Sequence, residues 1–354
     1  MAMIGTKQVF TSPCDTPDTP ARMLVTIVVN CYNRADMVCT ALDSVWKQTY
    51  RPIELIVIDD GSKDNTFEVV NEWSKTHPDT QDFTTVAKTF PNGKLCLARN
   101  RGLALAHGKY IQYVDDDDWL YPDCITEKMV YCRSHPEKDV VVHQVEYIVS
   151  GRKSIGTSQI TLVNDDSKQT LHLMDTRTDT LFSPTLLFKL SSLKSVGGWT
   201  NGLIFADDLD IVFRMAIKGM KFGLVNKPLS AYNMHDADRQ CNKVIYQLPD
   251  DFWSKLFLNL ALFADLNNND TVEIKESLGK QLLFYGRRQA NWGKYNSAVI
   301  CFKQASKLYP NYISKLPDYM LYLIMHINHF KFVCIAKIKA LAKRLLNTKN
   351  VKQI

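Results

Sequence analysis

Three apolar runs, each halted by a polar or acidic cluster, constrain the fold of this chain most. Leu24–Val29 runs into Asn30-Cys31-Tyr32-Asn33-Arg34, Ile53–Ile58 into Asp59-Asp60-Gly61-Ser62, and Tyr110–Val114 into Asp115-Asp116-Asp117-Asp118. Continuous β-branched apolar runs of this length read as buried strands. Between them Val38, Ala41, Leu42 and Val45 recur at helical spacing, 64–73 is compatible with a helix, and 95–106 is an Ala/Leu-rich helix stopped by Gly108. A weaker strand falls at 84–87. Alternating βα units imply an α/β fold with a parallel, doubly wound sheet.

The middle of the chain is less regular. Residues 140–149, 182–188 and 222–225 read as strands. Leu209, Val212, Phe213 and Ala216 share one helix face that ends at Gly219, and the polar stretch 165–180 reads as a loop over a site. From about residue 240 the pattern turns helical. Within 279–310, the spacing of Gly286, Ala298, Phe302, Ala305 and Pro310 is similar to one tetratricopeptide repeat. One repeat cannot bury its own faces, so this hairpin either packs on the preceding domain or belongs to a partner-binding array. The expected organisation is a loose tail over 1–22, an α/β domain over 23–239 and a helical region over 240–354.

A net charge of +6 over 354 residues favours anionic small partners, and the excess is uneven. Residues 331–354 contain Lys331, Lys337, Lys339, Lys343, Arg344, Lys349 and Lys352 and no acid. Within 331–346, Ile335, Ile338, Leu341 and Leu345 form an apolar stripe opposite Lys337, Lys339, Lys343 and Arg344, a basic amphipathic helix. Residues 319–354 either dock peripherally on a cytoplasmic leaflet or pack as structure. The nine cysteines form no C-x-x-C pair and read as free thiols in a reducing compartment. No secretory pattern and no apolar run of spanning length is present, so the expected location is cytoplasmic. Nucleic acid is not an expected partner, and the sequence leaves oligomerisation open.

The acidic clusters carry the chemistry. In open α/β sheets, ligands bind in the crevice outside the carboxyl ends of the strands. Four adjacent acids, Asp115 to Asp118, either cap the helix that follows or are compensated by a cation. Oxygen donors suit Mg²⁺ or Mn²⁺, which bridge carboxylates to substrate phosphates. If the segment is extended, Asp115 and Asp117 face the same way. The second cluster, Asp207-Asp208-Leu209-Asp210, follows the Val196-Gly197-Gly198-Trp199 turn. It either caps a helix or supplies a base that takes a proton from a hydroxyl. His235 is a lone histidine with no partner legible in the sequence. No G-x-x-x-x-G-K-[ST] loop exists and no G-x-G-x-x-G follows the first strand, which argues against a P-loop enzyme and a dinucleotide oxidoreductase.

Taken in order, Val28–Arg34, Ser44–Tyr50, Ile58–Asp64, Ala98–Gly102, Val114–Asp118, Gly197–Trp199, Asp207–Asp210 and Tyr232–His235 resemble the motifs of the inverting family 2 glycosyltransferases of the GT-A fold. The resemblance covers about 60% of the chain, from Met23 to about Arg239. It implies that Tyr32, Asn33, Arg34, Asp60, Arg99, Asn100, Asp115 and Asp116 contact a nucleotide-sugar donor. It implies that Asp117, Asp115 and His235 serve a Mn²⁺ or Mg²⁺ ion, and that Asp208 is the catalytic base with Asp207 beside it. The family's Pro-Thr before the tyrosine is replaced by Asn30-Cys31, and its Glu before the catalytic Asp by Asp207. The Q-x-x-R-W motif of processive synthases is missing. The implied activity is transfer of single sugars, with a UDP-sugar favoured, to a glycan or lipid-linked acceptor. The rivals are a nucleotidyltransferase and a sugar-nucleotide-binding module without transferase activity. The first would want a Gly-rich loop after strand one, and Asn30 to Arg34 contains no glycine.

Overall fold

A computed structural model describes residues 22–149, 153–162, 181–234 and 247–308. Residues 1–21 of the expected tail, the expected loop over 165–180, His235, Pro310 and the segment 319–354 with the expected basic helix lie outside the described residues. The chain divides after Gln247 into two compact units.

In the first unit, β1 (Val25–Cys31), α1 (Val38–Trp46), β2 (Ile53–Asp59), α2 (Thr66–Thr76), β3 (Phe83–Thr89), α3 (Lys94–Leu105) and β4 (Tyr110–Asp115) alternate as the apolar runs predict. β1 and β2 are buried at all seven positions. Such strands cannot show the alternation of a half-exposed sheet, which is why they read as continuous apolar runs. There follow β5 (Trp119–Leu120), α4 (Cys124–Ser134), β6 (Val140–Val149), β7 (Lys153–Thr157), a 3₁₀ turn at Ser183–Thr185, β8 (Leu186–Lys189), α5 (Leu190–Ser195), α6 (Asp207–Ile217) and β9 (Phe222–Met234). The sheet order is β3-β2-β1-β4-β8-β6-β9-β5, with β7 on β6.

The sheet is parallel through β3-β2-β1-β4 and mixed beyond, where β8 runs antiparallel to both β4 and β6. β9 is longer than the 222–225 run predicts. Its outer half mixes polar and apolar residues and pairs with β6 and the short β5, so no apolar run marks it. β6 and β9 are parallel to each other. Two antiparallel steps separate β4 from β6, so β1, β2, β4, β6 and β9 all end on the same edge.

The second unit contains α7 (Phe252–Leu266), α8 (Val272–Asn291) and α9 (Tyr295–Leu308). Thr271 caps α8, its hydroxyl accepting the Ile274 amide at 3.3 Å. Gly286 lets α8 and α9 approach, because a Cβ there would meet Phe302 at 2.9 Å. Trp253 of α7 stacks on Tyr285 of α8 with ring centroids 3.7 Å apart. The α8–α9 hairpin is therefore covered on one side by a third helix. No helix among the described residues is long and apolar enough to cross a membrane. The described cysteines, Cys31, Cys39, Cys96, Cys124, Cys132 and Cys301, are free, and all but Cys39 are buried.

Candidate active site

Strand register brings the polar clusters together. Cys31 pairs with Asp59, and Asn30 with Asp115, so β1, β2 and β4 end level. Beyond β1 the chain turns at Asn33, which adopts a left-handed φ of 53°, a conformation asparagine tolerates better than most residues. The Asn33 amide donates to the Ser62 hydroxyl at 2.9 Å and its side-chain oxygen accepts the Lys63 amide at 2.7 Å. Asn33 thus fastens the first loop to the second.

Asp60 is buried and accepts the Gly93 amide and the Arg101 guanidinium, each at 2.8 Å. Burial raises its pKa, against the opposing pull of those donors. Arg101 lies over the Phe90 ring at 4.7 Å. Gly61 permits the crossing, since a Cβ would stand 2.8 Å from the Asn92 amide.

The acidic run does not stay extended. β4 ends at Asp115, and Asp116 and Asp117 form a turn closed by the Asp118 amide on the Asp115 carbonyl at 3.2 Å. The alternation that would align Asp115 with Asp117 therefore stops at Asp115. Asp116 reaches back to the first loop, accepting the Tyr32 amide at 3.2 Å and pairing with Arg34 at 3.4 Å. The Asp118 carboxylate accepts the Asn233 amide of β9 at 2.8 Å.

Arg99 joins the two acidic clusters. It projects from α3 and its side chain is 1% exposed. One arm of the guanidinium binds Asp115 at 3.0 Å and the Ser183 hydroxyl; the other binds Asp207 and lies 3.5 Å from Asp208. Its plane covers the Trp199 ring at 4.3 Å. Burial alone would lower the arginine's pKa, but Asp207, Asp115 and Asp208 together hold it above its ordinary value. The guanidinium is committed to these carboxylates.

Asp207, Asp208 and Asp210 occupy the first turn of α6, where the helix dipole favours acids. They face different tasks. Asp210 is buried, accepting the Thr200 hydroxyl at 2.7 Å and two Arg214 donors at 2.9 and 2.7 Å. Arg214 in turn donates to the Val196 and Gly198 carbonyls. The Asn100 side chain closes the same turn, donating to the Trp199 carbonyl and accepting its amide at 2.8 and 2.9 Å. Asn100 and Asp210 thus build the Gly-Gly-Trp turn, while Asp208 keeps a 26% exposed side chain.

Behind the site, on the other side of β4, Lys128 of α4 is fully buried. It donates to Gln112 at 2.8 Å and the Thr185 carbonyl at 3.1 Å, and Gln112 donates to the Pro184 carbonyl at 3.0 Å. Together they grip the 3₁₀ turn that presents Ser183 to Arg99. Burial pushes the Lys128 pKa down to about 8. Sequence reasoning missed Ser183, Lys128, Arg101 and Arg214. Arg101 was legible inside the Ala98–Gly102 motif, and Arg214 four residues after Asp210. Ser183 and Lys128 carry no local signal.

Burial raises the pKa of Asp115, and it raises Asp116 and Asp208 well above the carboxylate range, with Asp117 adding to the effect on Asp116 and Asp207 to that on Asp208. The cluster is therefore short of positive charge despite Arg99. Its donors are carboxylate oxygens, the chemistry a hard divalent ion takes. Among the described residues no three such ligands converge on one point.

The mixed sheet and its flanking helices have the GT-A fold. Residues 26–197 match the family model of glycosyl transferase family 2. It is 25% identical over 242 residues to the poly(ribitol-phosphate) beta-glucosyltransferase of Bacillus spizizenii, covering 66% of this chain and 36% of that protein. It is 34% identical over 98 residues to the uncharacterized glycosyltransferase YibD of Escherichia coli, covering 28% and 27% of the two chains. The matches thus span about a third or less of these relatives' lengths. The fold matches S. aureus TarS 1-349 in complex with UDP-GlcNAc at a TM-score of 0.65, with 19% identity and 86% of each chain covered.

Proposed function

We propose that this chain is an inverting, metal-dependent glycosyltransferase that moves one sugar per encounter from a nucleoside-diphosphate donor to a hydroxyl of a glycan or lipid-linked acceptor. The observation that carries the reading is Arg99, whose single guanidinium draws Asp115 at the end of β4 toward Asp207 and Asp208 at the head of α6. That pairing supports a reading in which a donor-side carboxylate and a base share one crevice.

Tyr32 and Asp60, in the first two loops, are suited to the nucleotide base. Uridine is the favoured base, in keeping with the family resemblance and with the UDP-GlcNAc held by TarS. Asp117 and Asp115 would hold Mn²⁺ or Mg²⁺, which supplies positive charge to the leaving diphosphate. Asp208 takes the acceptor proton. Burial and the Asp207 charge raise its proton affinity, which brings a carboxylate closer to the range useful for general-base work at neutral pH. As the acceptor oxygen bonds to the anomeric carbon, the bond to the diphosphate breaks on the opposite face, and the centre inverts through an oxocarbenium-like state. Arg99 acts by positioning, fixing the carboxylates without touching the reacting atoms. The absent Q-x-x-R-W motif favours single transfers over polymer extrusion.

A thermal-shift screen of nucleotide-sugars with Mn²⁺ identifies the donor, and proton NMR of the product gives its anomeric configuration. Inversion is expected. A product that retains the donor's configuration refutes the mechanism.

A further inference from the structure

Three aromatic side chains at the catalytic edge remain outside the roles above. Tyr147 of β6 and Tyr232 of β9 are register partners on adjacent parallel strands, with ring centroids 6.0 Å apart at 83°. Phe182 approaches Tyr232 from the chain leading into the 3₁₀ turn, with centroids 4.9 Å apart. All are half-buried, where most large apolar side chains of the sheet are fully buried. The two tyrosines follow His143 and Ser230 along one face of the sheet. That pair is buried and hydrogen-bonded at 2.8 Å, so the polar column stops where the rings begin.

The rings are tied to both carboxylate clusters. Phe182 adjoins Ser183, whose hydroxyl accepts from Arg99, the residue that pairs with Asp115 and Asp207. Tyr232 adjoins Asn233, whose amide holds Asp118. Sheet order decides which substrate lies there. The base-side loops follow β1 and β2, the acidic run follows β4, and the rings lie at β6 and β9, beyond the carboxylates. A donor occupying the first two loops leaves this end of the crevice to the second substrate.

We propose that Phe182, Tyr232 and Tyr147 form the acceptor subsite and that they take a pyranose ring, stacked by its C–H face. The proposal rests on the glycosyltransferase reading. An aromatic face is electron-rich and attracts the weakly positive C–H edge of a partner, and a sugar ring offers several such hydrogens on one flat face. Its hydroxyls stay at the rim, where one can meet Asp208. An open-chain polyol offers no such face and gains little from the rings.

The test is saturation-transfer NMR on the full chain, with methyl β-D-glucopyranoside and ribitol as probes. The unaltered chain is expected to saturate the ring protons of the pyranoside and to leave ribitol near background. Phe182→Ala and Tyr232→Ala are expected to weaken the pyranoside signal about 10-fold, and Tyr232→Phe to retain it. Phe182→Leu keeps apolar volume without a ring, so loss of signal there, in a variant that melts like the unaltered chain, identifies stacking rather than misfolding. Equal signals for pyranoside and ribitol, or a pyranoside signal unchanged in Phe182→Leu, overturn the proposal. Thermal shift with UDP and Mn²⁺, run on the same samples, reports the donor half alone. Absence of that shift counts against the glycosyltransferase reading, while the pyranoside result still decides the ring site.

Discussion

The guanidinium of Arg99 binds Asp207 on one arm while its other arm holds Asp115 at 3.0 Å, and solvent reaches 1% of the arginine side chain. Removing the arginine leaves three partly buried carboxylates without their shared counter-charge. Arg99→Met is expected to cost about 3–5 kcal/mol. Arg99→Lys keeps the charge, but a single ammonium cannot bridge both clusters, so it should fold and lose most of its activity. Urea unfolding and donor turnover check both. A lysine variant with full turnover contradicts the bridging role.

The raised carboxylates predict how metal affects stability. Folded Asp115, Asp116 and Asp208 hold protons at a pH where the unfolded chain has released them. Stability therefore falls as pH rises from the ordinary carboxylate range, about 4, through their raised values. A cation that neutralises the ionised cluster should raise Tm, and more at pH 7.5 than at pH 5. Asp117→Ala should shrink that shift while leaving the metal-free fold intact. An equal Mn²⁺ shift in Asp117→Ala would remove that residue from the metal site.

Two adjacent glycines separate backbone strain from crowding. Gly197 and Gly198 both have positive φ, 83° and 68°, but a Cβ at Gly197 meets nothing within 4 Å. At Gly198 it would stand 2.6 Å from the Asn100 side-chain oxygen and 2.7 Å from Leu103. Gly197→Ala should cost about 1 kcal/mol, the left-handed penalty alone. Gly198→Ala should cost about 2–4 kcal/mol, with crowding added to the backbone term. Equal losses on denaturant unfolding would show that Asn100 gives way freely.

How much of this was legible in the sequence follows from which contacts are local. The level ends of β1, β2 and β4 came from short apolar runs, because strands buried on both faces leave no other pattern. Clusters at those ends then had to share an edge. The turn at Asp116 and Asp117 was hidden, because an acidic run reads alike extended or turned. Arg99 was visible as a motif residue, but its partner Asp207 lies 108 positions away. Nothing local in the sequence says that this arginine pairs with both acidic clusters. Ser183 and Lys128 act through backbone carbonyls and hydroxyls across the sheet, a relation with no sequence signature.

Lys128 gives a pH prediction of opposite sign. Burial holds it at about 8 against an ordinary 10.5. Between those values the unfolded chain binds more protons than the folded one. This group therefore makes stability rise with pH across that window, by on the order of 3 kcal/mol. Below about pH 8 the cost of the buried charge is present in full. Lys128→Met should lose the rise, measured as the difference between the two proteins' unfolding free energies from pH 7.5 to 10. Parallel pH profiles would mean that Lys128 is not the group titrating there.

Asp208 as the base is tested most directly by one substitution. Asp208→Asn keeps the shape of the side chain but cannot take a proton. With Mn²⁺, a donor found in the thermal-shift screen and a glycan acceptor, the unaltered chain should release nucleoside diphosphate and form product. The variant should transfer about 10²–10⁴-fold more slowly with its donor thermal shift unchanged. Transfer within a few-fold of the unaltered chain would contradict the account and move the base away from Asp208.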